Sequence, residues 1–267
     1  MLTETIALAA IMSKNTIKKV NVLGIPIAAV NMREAVACIA SWIESDIRTF
    51  VTVTGVHGIM ESQSDEELKR IHNSAGMCVP DGMPTVWIGK LYGHRAMSRV
   101  YGPDLMIETM RASLNRGYTH FLLGGKQGVP ELLKQRLEEK FPGIRIVGTL
   151  SPPFRPMTPE EEGELHTLLG RLSPDIIWVG LSTPKQERWM AAHVGKLPAR
   201  VMIGVGAAFD FHAGLVSQAP SWIQQCGLEW FFRMCVEPRR LWRRYLYNNP
   251  RFILLMVCQF LKVKKYD

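Results

Sequence analysis

Short runs of apolar residues alternate along this chain with segments in which apolar positions recur at helical spacing. The runs predict strands at 21–29, 49–54, 119–125, 144–150, 175–181 and 200–211. The segments between them predict amphipathic helices at 31–46, 64–76, 129–143, 158–174 and 185–197. The first strand segment has the pattern of a hairpin or edge strand. This alternation is typical of a mostly parallel sheet covered by helices on both faces, so the sequence predicts a Rossmann-like α/β fold.

Two of the predicted helices have recognisable capping residues at their start. Asn31 precedes the first helix, and Ser64 stands three residues before Glu67, which is the spacing of a capping box. We therefore expect Asn31 and Ser64 to cap these helices.

Glycines follow two predicted strands, at the sheet edge where ligands of parallel sheets bind. Gly124, Gly125 and Gly128 could let backbone N–H groups approach a phosphate at a helix start. However, GGKQG lacks the spacing of a Walker motif, and GVGAAF (204–209) lacks the third glycine of a dinucleotide fingerprint. A tight turn is the commoner explanation for such glycines.

Charge is distributed very unevenly along the chain. The 267 residues are 47% hydrophobic and 21% charged, which is typical of a globular protein, but their net charge is +8. Residues 233–267 contain nine Lys and Arg against two Asp and Glu, so this segment carries +7 and the first 232 residues carry +1. A basic surplus predicts an anionic partner, and its confinement to one end argues against a general nucleic-acid surface.

The basic segment also contains aromatic residues and ends in an apolar run of 12 residues, Phe252 to Val263. That run is too short to span a bilayer. The pattern fits a segment lying at an acidic membrane surface, and it fits equally a helical hairpin packed on the body with its arginines solvated. Removal of the chain from about Arg233 onward is expected to improve solubility and destroy activity.

The chain start and the cysteines bear on cellular location. The N-terminal apolar stretch has no basic region before it, so a signal peptide is not expected. The five cysteines form no CxxC pair and are odd in number, which predicts buried thiols in a reducing cytoplasm.

Several motifs together resemble the signatures of the WecG/TagA/CpsF family of bacterial glycosyltransferases. They are VTGVHGIMESQSDEEL (53–68), CVPDGMPTVW (78–87), RVYGPDL (99–105), VGLSTPKQERWM (179–190) and VGAAFDFHAG (205–214). The resemblance implies an inverting transfer of a sugar, of N-acetylmannosamine type, from a UDP-sugar to a polyprenyl-pyrophosphate-linked acceptor in surface polysaccharide synthesis. One alternative is a transferase of exopolysaccharide assembly that uses GDP-mannose or another NDP-sugar. Another is a non-catalytic basic protein that binds nucleic acid or membrane.

The resemblance implies roles for several polar side chains. Asp81 matches the family's proposed general base, which takes the proton from the attacking hydroxyl, although a solvated Asp-Gly turn is the alternative. Arg99 matches a basic residue that could contact substrate phosphate. Gln186 matches a residue of the nucleotide-sugar site that binds sugar hydroxyls or uracil, and Glu187 beside it is expected to be solvated. Asp210 is expected either to bind donor hydroxyls or to cap the next turn.

The loop after the strand at 49–54 differs from the family pattern. Thr52 and Thr54 match the place where related sequences carry a Thr-x-Asn motif close to the donor, and both are predicted to bind substrate. Gly55 stands where the Asn is expected. This change removes an amide and leaves His57 or a backbone group to replace it.

Three arginines of the C-terminal segment match family positions proposed to bind the diphosphate. They are Arg233, Arg240 and Arg243, and their spacings of seven and three predict that they lie near one face of a single helix. A closing arginine would stabilise charge on the leaving diphosphate.

The sequence thus predicts an N-terminal extension (1–19), an α/β glycosyltransferase domain (20–228) and a basic, aromatic appendage (229–267) that covers the substrate and contacts the membrane. The predicted partners are a UDP-sugar or other NDP-sugar donor, a lipid-linked pyrophosphate acceptor and an acidic membrane surface, with no nucleic acid. No cofactor is expected, and the lack of a DxD-like carboxylate cluster predicts a metal-independent reaction. The predicted location is cytoplasmic, peripheral on the inner face of the cell membrane.

Overall fold

The sheet of this protein has eight strands, and its topology is that of a parallel α/β fold. The computed structural model describes residues 17–266, except for the side chains of Ser221, Gln225, Arg240 and Arg244. The strands are β1 (Lys19–Val22), β2 (Ile25–Ala28), β3 (Thr49–Thr54), β4 (Met77–Pro80), β5 (Thr119–Gly124), β6 (Arg145–Leu150), β7 (Ile176–Gly180) and β8 (Val201–Gly204). Their order is β1-β2-β4-β3-β8-β7-β5-β6. Only β1 and β2 pair antiparallel within the described residues, so the predicted fold class and the predicted edge hairpin are both confirmed.

Helices connect the strands and continue beyond the last one. They are α1 (Met32–Glu44), α2 (Val56–Glu61), α3 (Glu66–Ser74), α4 (Met83–Leu91), α5 (Gly102–Leu114), α6 (Val129–Lys140), α7 (Pro159–Leu172), α8 (Lys185–His193), α9 (Ala208–His212), α10 (Ser221–Gln225), α11 (Glu229–Val236) and α12 (Pro238–Phe260). We call residues 221–266, which begin with α10, the C-terminal tail.

The predicted capping is confirmed at one helix and wrong at another. Asn31 caps α1 through a capping box, as predicted. At α3 the cap is Asp65 rather than Ser64, and its carboxylate accepts a hydrogen bond of 2.9 Å from the N–H of Leu68. A carboxylate one residue later serves the helix start better than the hydroxyl, because its charge also interacts favourably with the helix dipole.

The last predicted strand, 200–211, is too long. β8 ends at Gly204, and the N–H groups of Val205 and Gly206 both donate to the carbonyl of Val179, at 2.9 and 3.3 Å. This turn takes the chain out of the sheet and into α9. An apolar sequence does not reveal such a turn, because the residues after it are buried as well.

The core fills both faces of the sheet because neighbouring strand residues point in opposite directions. On one face Val51 and Trp178 pack with α1, α5 and α6, and on the other Phe50 and Ile177 pack with α3, α7 and α8. Burial of both faces explains why these strands are continuously apolar.

The C-terminal tail consists of separate helices, so the predicted single helical face for its arginines is wrong. α11 ends at Val236, Glu237 has φ −128° and ψ 60°, and Pro238 begins α12. Proline is favoured at a helix start, where its missing N–H costs no hydrogen bond. Arg233 therefore lies on a different helix from Arg243.

α12 packs against the body on one side and exposes apolar residues on the other. Phe252 is 4% exposed and joins the core, whereas Ile253 is 63% and Phe260 56% exposed. Near its end, Gln259 accepts from the N–H of Leu23 and donates to the carbonyl of Asn21, both at 2.8 Å. The tail thus has a docked side, as in the hairpin interpretation, and an exposed apolar side, as in the membrane interpretation. Among the described residues, none of the helices is both long and apolar enough to cross a membrane.

Candidate active site

A cavity of about 1300 Å³ lies where the parallel strands end and the C-terminal tail crosses over them. Five strand ends contribute to its wall. The contributing residues are Gly55 after β3, Asp81 after β4, Lys126 after β5, Thr183 after β7 and Gly206 after β8. Ligands of parallel sheets bind at the carboxyl ends of the strands, so this cavity is the candidate active site.

Asp81 is held at the cavity wall by the backbone around it. Its N–H donates to the carbonyl of Thr54 at 3.2 Å, which ties it to the end of the neighbouring strand. One carboxylate oxygen, Oδ1, lies 3.4 Å from the N–H of Gly102 at the start of α5. A Cβ atom built on Gly55 would lie 3.5 Å from the other oxygen, Oδ2. The glycine at the family's Asn position therefore leaves Asp81 without a side-chain neighbour at that point.

The electrostatic environment of Asp81 suits a general base. Burial raises the pKa of Asp81 to about 6; the charge of Arg99 opposes the rise, and that of Glu229 adds to it. The Gly102 N–H and the charge of Arg233 also lower this pKa. A carboxylate with a pKa near 6 is ionised at neutral pH and is a better proton acceptor than an ordinary aspartate.

The guanidinium of Arg99, which was predicted to contact substrate phosphate, is hydrogen-bonded to other groups of the protein. Its Nε donates to the backbone carbonyl of Asp81, its Nη1 to Oε1 of Gln224 at 2.9 Å, and its Nη2 to the carboxylate of Glu229. The guanidinium also stacks over the ring of Tyr101, 4.0 Å from the ring centroid. Arg99 lines the cavity, but its contacts join the body of the protein to the C-terminal tail.

Gln186 reaches the cavity from the first turn of α8. Its side chain is 3% exposed, and its Nε2 donates to Oε1 of Glu187 at 3.1 Å. The carbonyl oxygen, Oε1, has no hydrogen-bond partner among the described residues. It lies 3.5 Å from the position that a Cβ would take on Gly206, a cavity residue. An acceptor at the cavity wall is therefore available to a ligand that donates a hydrogen bond.

Glu187 is not solvated, contrary to the expectation from sequence. Its side chain is 1% exposed, and Oε1 accepts from the hydroxyl of Thr183 at 2.9 Å as well as from Gln186. Burial raises the pKa of Glu187, and these hydrogen bonds oppose the rise. Because Glu187 accepts from the amide nitrogen of Gln186, it fixes which end of that amide faces the cavity.

Thr52 and Thr54 do not reach the cavity wall. Both side chains are buried; the hydroxyl of Thr54 donates to that of Thr52 at 2.9 Å, and the Thr52 hydroxyl lies 3.2 Å from Nδ1 of His72. Burial lowers the pKa of His72 to about 4, so this imidazole is neutral. In this structure the two threonines support the strand under the site instead of facing a ligand. His57 does line the cavity, with Nδ1 3.5 Å from the amide nitrogen of Asn248 on α12.

Asp210 lies in α9 and lines the cavity. Its backbone carbonyl accepts from the N–H groups of Leu215 and Val216, at 2.9 and 3.3 Å. The turn is thus stabilised by the backbone of Asp210, and binding of donor hydroxyls by its side chain stays a prediction.

Of the three predicted tail arginines, the structure brings Arg233 to the cavity. Its guanidinium lies 5.8 Å from the ring centroid of Phe211, and its charge is close enough to lower the pKa of Asp81. Arg243 is exposed, lies over the ring of Trp242 and is not part of the cavity wall. The side chain of Arg240 lies outside the described residues.

Sequence reasoning missed Glu229 and Gln224, the tail partners of Arg99. Glu229 could have been noticed as one of the few acids near a strongly basic segment, but its partner is 130 residues away in the chain. Across the described part of the chain, no cluster of three or more His, Cys, Asp or Glu side chains could hold a metal ion. A metal-independent reaction stays a prediction.

A carboxylate, an arginine and a buried amide around a cavity at the end of a parallel sheet are typical of enzymes that act on nucleotide-linked or phosphorylated substrates. Residues 20–266 match the Glycosyl transferase WecG/TagA/CpsF family. The chain belongs to this family and is a glycosyltransferase, as the motifs predicted.

Relatives from several bacteria cover most of the chain. Two are N-acetylglucosaminyldiphosphoundecaprenol N-acetyl-beta-D-mannosaminyltransferases of Bacillus subtilis (strain 168) and Staphylococcus aureus (strain MRSA252). The first is 26% identical over 216 residues, which are 81% of this chain and 82% of the relative. The second is 25% identical over 249 residues, which are 92% of this chain and 95% of the relative.

Proposed function

We propose that this protein transfers an N-acetylmannosamine-type sugar from a UDP-sugar to a sugar linked to a polyprenyl diphosphate, with inversion at the anomeric carbon. The names of the relatives support both the transferred sugar and the lipid-linked acceptor. The observation that carries the proposal is that one cavity is lined both by Asp81, Arg233 and Gln186 and by apolar side chains of α4 and α12, which we interpret as its polar end and its apolar end.

At the polar end, Asp81 acts as the general base. The acceptor hydroxyl oxygen attacks the anomeric carbon while the bond from that carbon to the diphosphate oxygen breaks, and the diphosphate leaves with the bonding electrons. The hydroxyl proton passes to the Asp81 carboxylate, whose pKa of about 6 suits this role. Arg233 supplies positive charge for the leaving diphosphate.

The donor meets the amide of Gln186 at the same end. The carbonyl oxygen of Gln186 accepts a hydrogen bond from a hydroxyl or N–H group of the nucleotide-sugar, since Nε2 is held by its bond to Glu187 and the oxygen has no partner among the described residues. A buried acceptor left without a donor is unfavourable, so this contact discriminates against ligands that lack the donor group.

At the other end, the prenyl chain of the acceptor lies between α4 and α12. This part of the wall is formed by apolar side chains, of which Leu91, Phe260 and Leu261 are largely exposed. Exposed apolar patches of this kind are typical of surfaces that contact a partner or lipid. Together with the basic residues of α12, they support a peripheral position on the inner, acidic face of the cell membrane.

The test is transfer by the purified protein between defined substrates. UDP-N-acetylmannosamine, UDP-N-acetylglucosamine and GDP-mannose are each supplied with a polyprenyl diphosphate-linked N-acetylglucosamine, and nucleoside diphosphate and lipid-linked product are both measured. We expect product from the first donor, with the anomeric configuration inverted by NMR. Product from GDP-mannose alone would replace the proposal with the exopolysaccharide alternative, and product from no donor would refute it.

A further inference from the structure

Arg99 connects two parts of the chain that are far apart in sequence. It belongs to the loop between α4 and α5, whereas two of its hydrogen-bond partners, Gln224 and Glu229, belong to the C-terminal tail. The side chains of Arg99 and Glu229 are only 15% and 14% exposed, so their ion pair is largely shielded from water. Shielded ion pairs with additional hydrogen bonds are specific in geometry and costly to break.

Deep burial does not hold this part of the tail in place. α11 contains eight residues, and not one of them is fully buried. A helix this short is unstable by itself in water, because its formation depends on contacts with the rest of the protein. The contact of Glu229 with Arg99 is made at the first residue of α11, where it fixes the start of the helix on the body.

We propose that Arg99 is a latch that holds the C-terminal tail over the cavity, and that Glu229 and Gln224 are positioning residues which place Arg233 beside Asp81. Glu229 and Arg233 are four residues apart in α11, so their side chains lie on the same face of the helix. When Glu229 docks on Arg99, Arg233 is therefore directed into the cavity. Arg99 also donates to the backbone carbonyl of Asp81, so the same guanidinium contacts both the tail and the residue that carries the catalytic carboxylate.

The linker before α11 fits closely against the body. Gly227 has φ +73°, and a Cβ built on it would lie 2.9 Å from Trp87 and 3.2 Å from Met83, both in α4. Only glycine combines that backbone conformation with so close an approach. This part of the tail thus contacts the body in two places, at α4 through Gly227 and at Arg99 through Glu229.

Hydrogen–deuterium exchange of the full-length protein, without any substrate, tests the latch directly. Glu229→Gln keeps the side-chain shape and removes the charge, and Arg99→Lys keeps the charge and removes the fork of donors. We expect amides of 221–236 to exchange at least about tenfold faster in either variant, which corresponds to about 1.4 kcal/mol. Amides of β7 and β8 serve as an internal reference, and Arg95→Lys, an exposed arginine of the same loop, is the matched control.

Faster exchange confined to the tail would support the latch. Unchanged exchange of 221–236 in both variants would overturn it. Equal acceleration in the tail and in β7 and β8 would also overturn it, because the pair would then stabilise the whole fold.

A second measurement rests on the proposed function and separates positioning from mere stability. Glu229 lies close enough to raise the pKa of Asp81, so Glu229→Gln should move the acid limb of the kcat/KM profile to lower pH and also lower kcat. A lower kcat with an unmoved acid limb would contradict the placement of Glu229 beside the base. Because exchange needs no donor or acceptor, failure of the latch and failure of the proposed function give different results.

Discussion

Asp81 should make the folded protein less stable at neutral pH while making it active, and Asp81→Asn separates the two effects. Burial raises the pKa of Asp81 from its ordinary 3.8 to about 6. The folded state therefore binds the proton more tightly than the unfolded state, and stability falls as pH rises from about 4 to 6. At 1.36 kcal/mol per pKa unit, the ionised carboxylate costs the folded state about 3 kcal/mol above pH 6.

The amide of Asn is uncharged and can still accept from the N–H of Gly102. Asp81→Asn is therefore expected to be more stable than wild type by up to about 3 kcal/mol at pH 8, and the gain should disappear near pH 4. Transfer at pH 8 should fall by about two to four orders of magnitude, the usual contribution of a general base. In the wild type, kcat/KM should fall below about pH 6 as the carboxylate becomes protonated.

Urea unfolding at pH 4, 6 and 8, combined with transfer assays on the same samples, checks both expectations. Asp46→Asn is the control, because Asp46 is an exposed aspartate outside the cavity wall. A variant Asp81→Asn that is less stable than wild type at pH 8 would refute the placement of a desolvated carboxylate there. Transfer at a near-normal rate would refute the base assignment.

Three further predictions follow from the cavity wall. Glu187→Gln should let the side-chain amide of Gln186 flip and should raise the KM for the donor by about tenfold or more, since hydrogen bonds to charged groups contribute about 1.5–3 kcal/mol. Steady-state kinetics in which the KM for the acceptor is unchanged would confirm this prediction. Arg233→Ala should lower kcat about a hundredfold or more whereas Arg243→Ala changes it little, and equal losses in rapid-quench assays would contradict the placement of the two arginines. The double variant Leu91→Ser, Phe260→Ser should lower the affinity for a polyprenyl acceptor at least about tenfold, because each buried CH₂ contributes about 0.8 kcal/mol, and should leave the affinity for a short-chain acceptor unchanged. Equal effects on both acceptors would argue against a prenyl chain between α4 and α12.

Periodicity predicted most of the sheet and its long helices because both faces of the strands are buried. It missed β4, a strand of four residues that ends in Pro80, and it missed α4 and α5, which follow directly in a segment rich in Gly and Pro. A strand as short as β4 is defined by its neighbours in the fold, and a single sequence carries little signal for it. In α4 and α5, Gly and Pro lower the helix propensity of the segment.

Asp81, Gln186 and Asp210, which the family motifs singled out, all line the cavity, but the motifs did not reveal which groups already have hydrogen-bond partners within the protein. Whether Arg99 faces a ligand or a protein carboxylate depends on Glu229, whose position is set by the path of the tail. Likewise, the burial of Glu187 depends on the packing of α8 against the sheet. These are tertiary effects between residues distant in sequence or on separate elements, so the local pattern could not predict them.

Because Gln259 is hydrogen-bonded to the β1–β2 turn, removal of the tail would disturb the fold as well as the active site. That amide pairs with the N–H of Leu23 and the carbonyl of Asn21, while Phe252 fills part of the core. A protein cut at residue 232 would leave a hairpin turn without its polar partners and an open hydrophobic surface, so the improved solubility expected from sequence does not follow. Inactivity of such a fragment would reflect damage to the fold as much as loss of the arginine, and single substitutions are needed to assign the tail its chemical role.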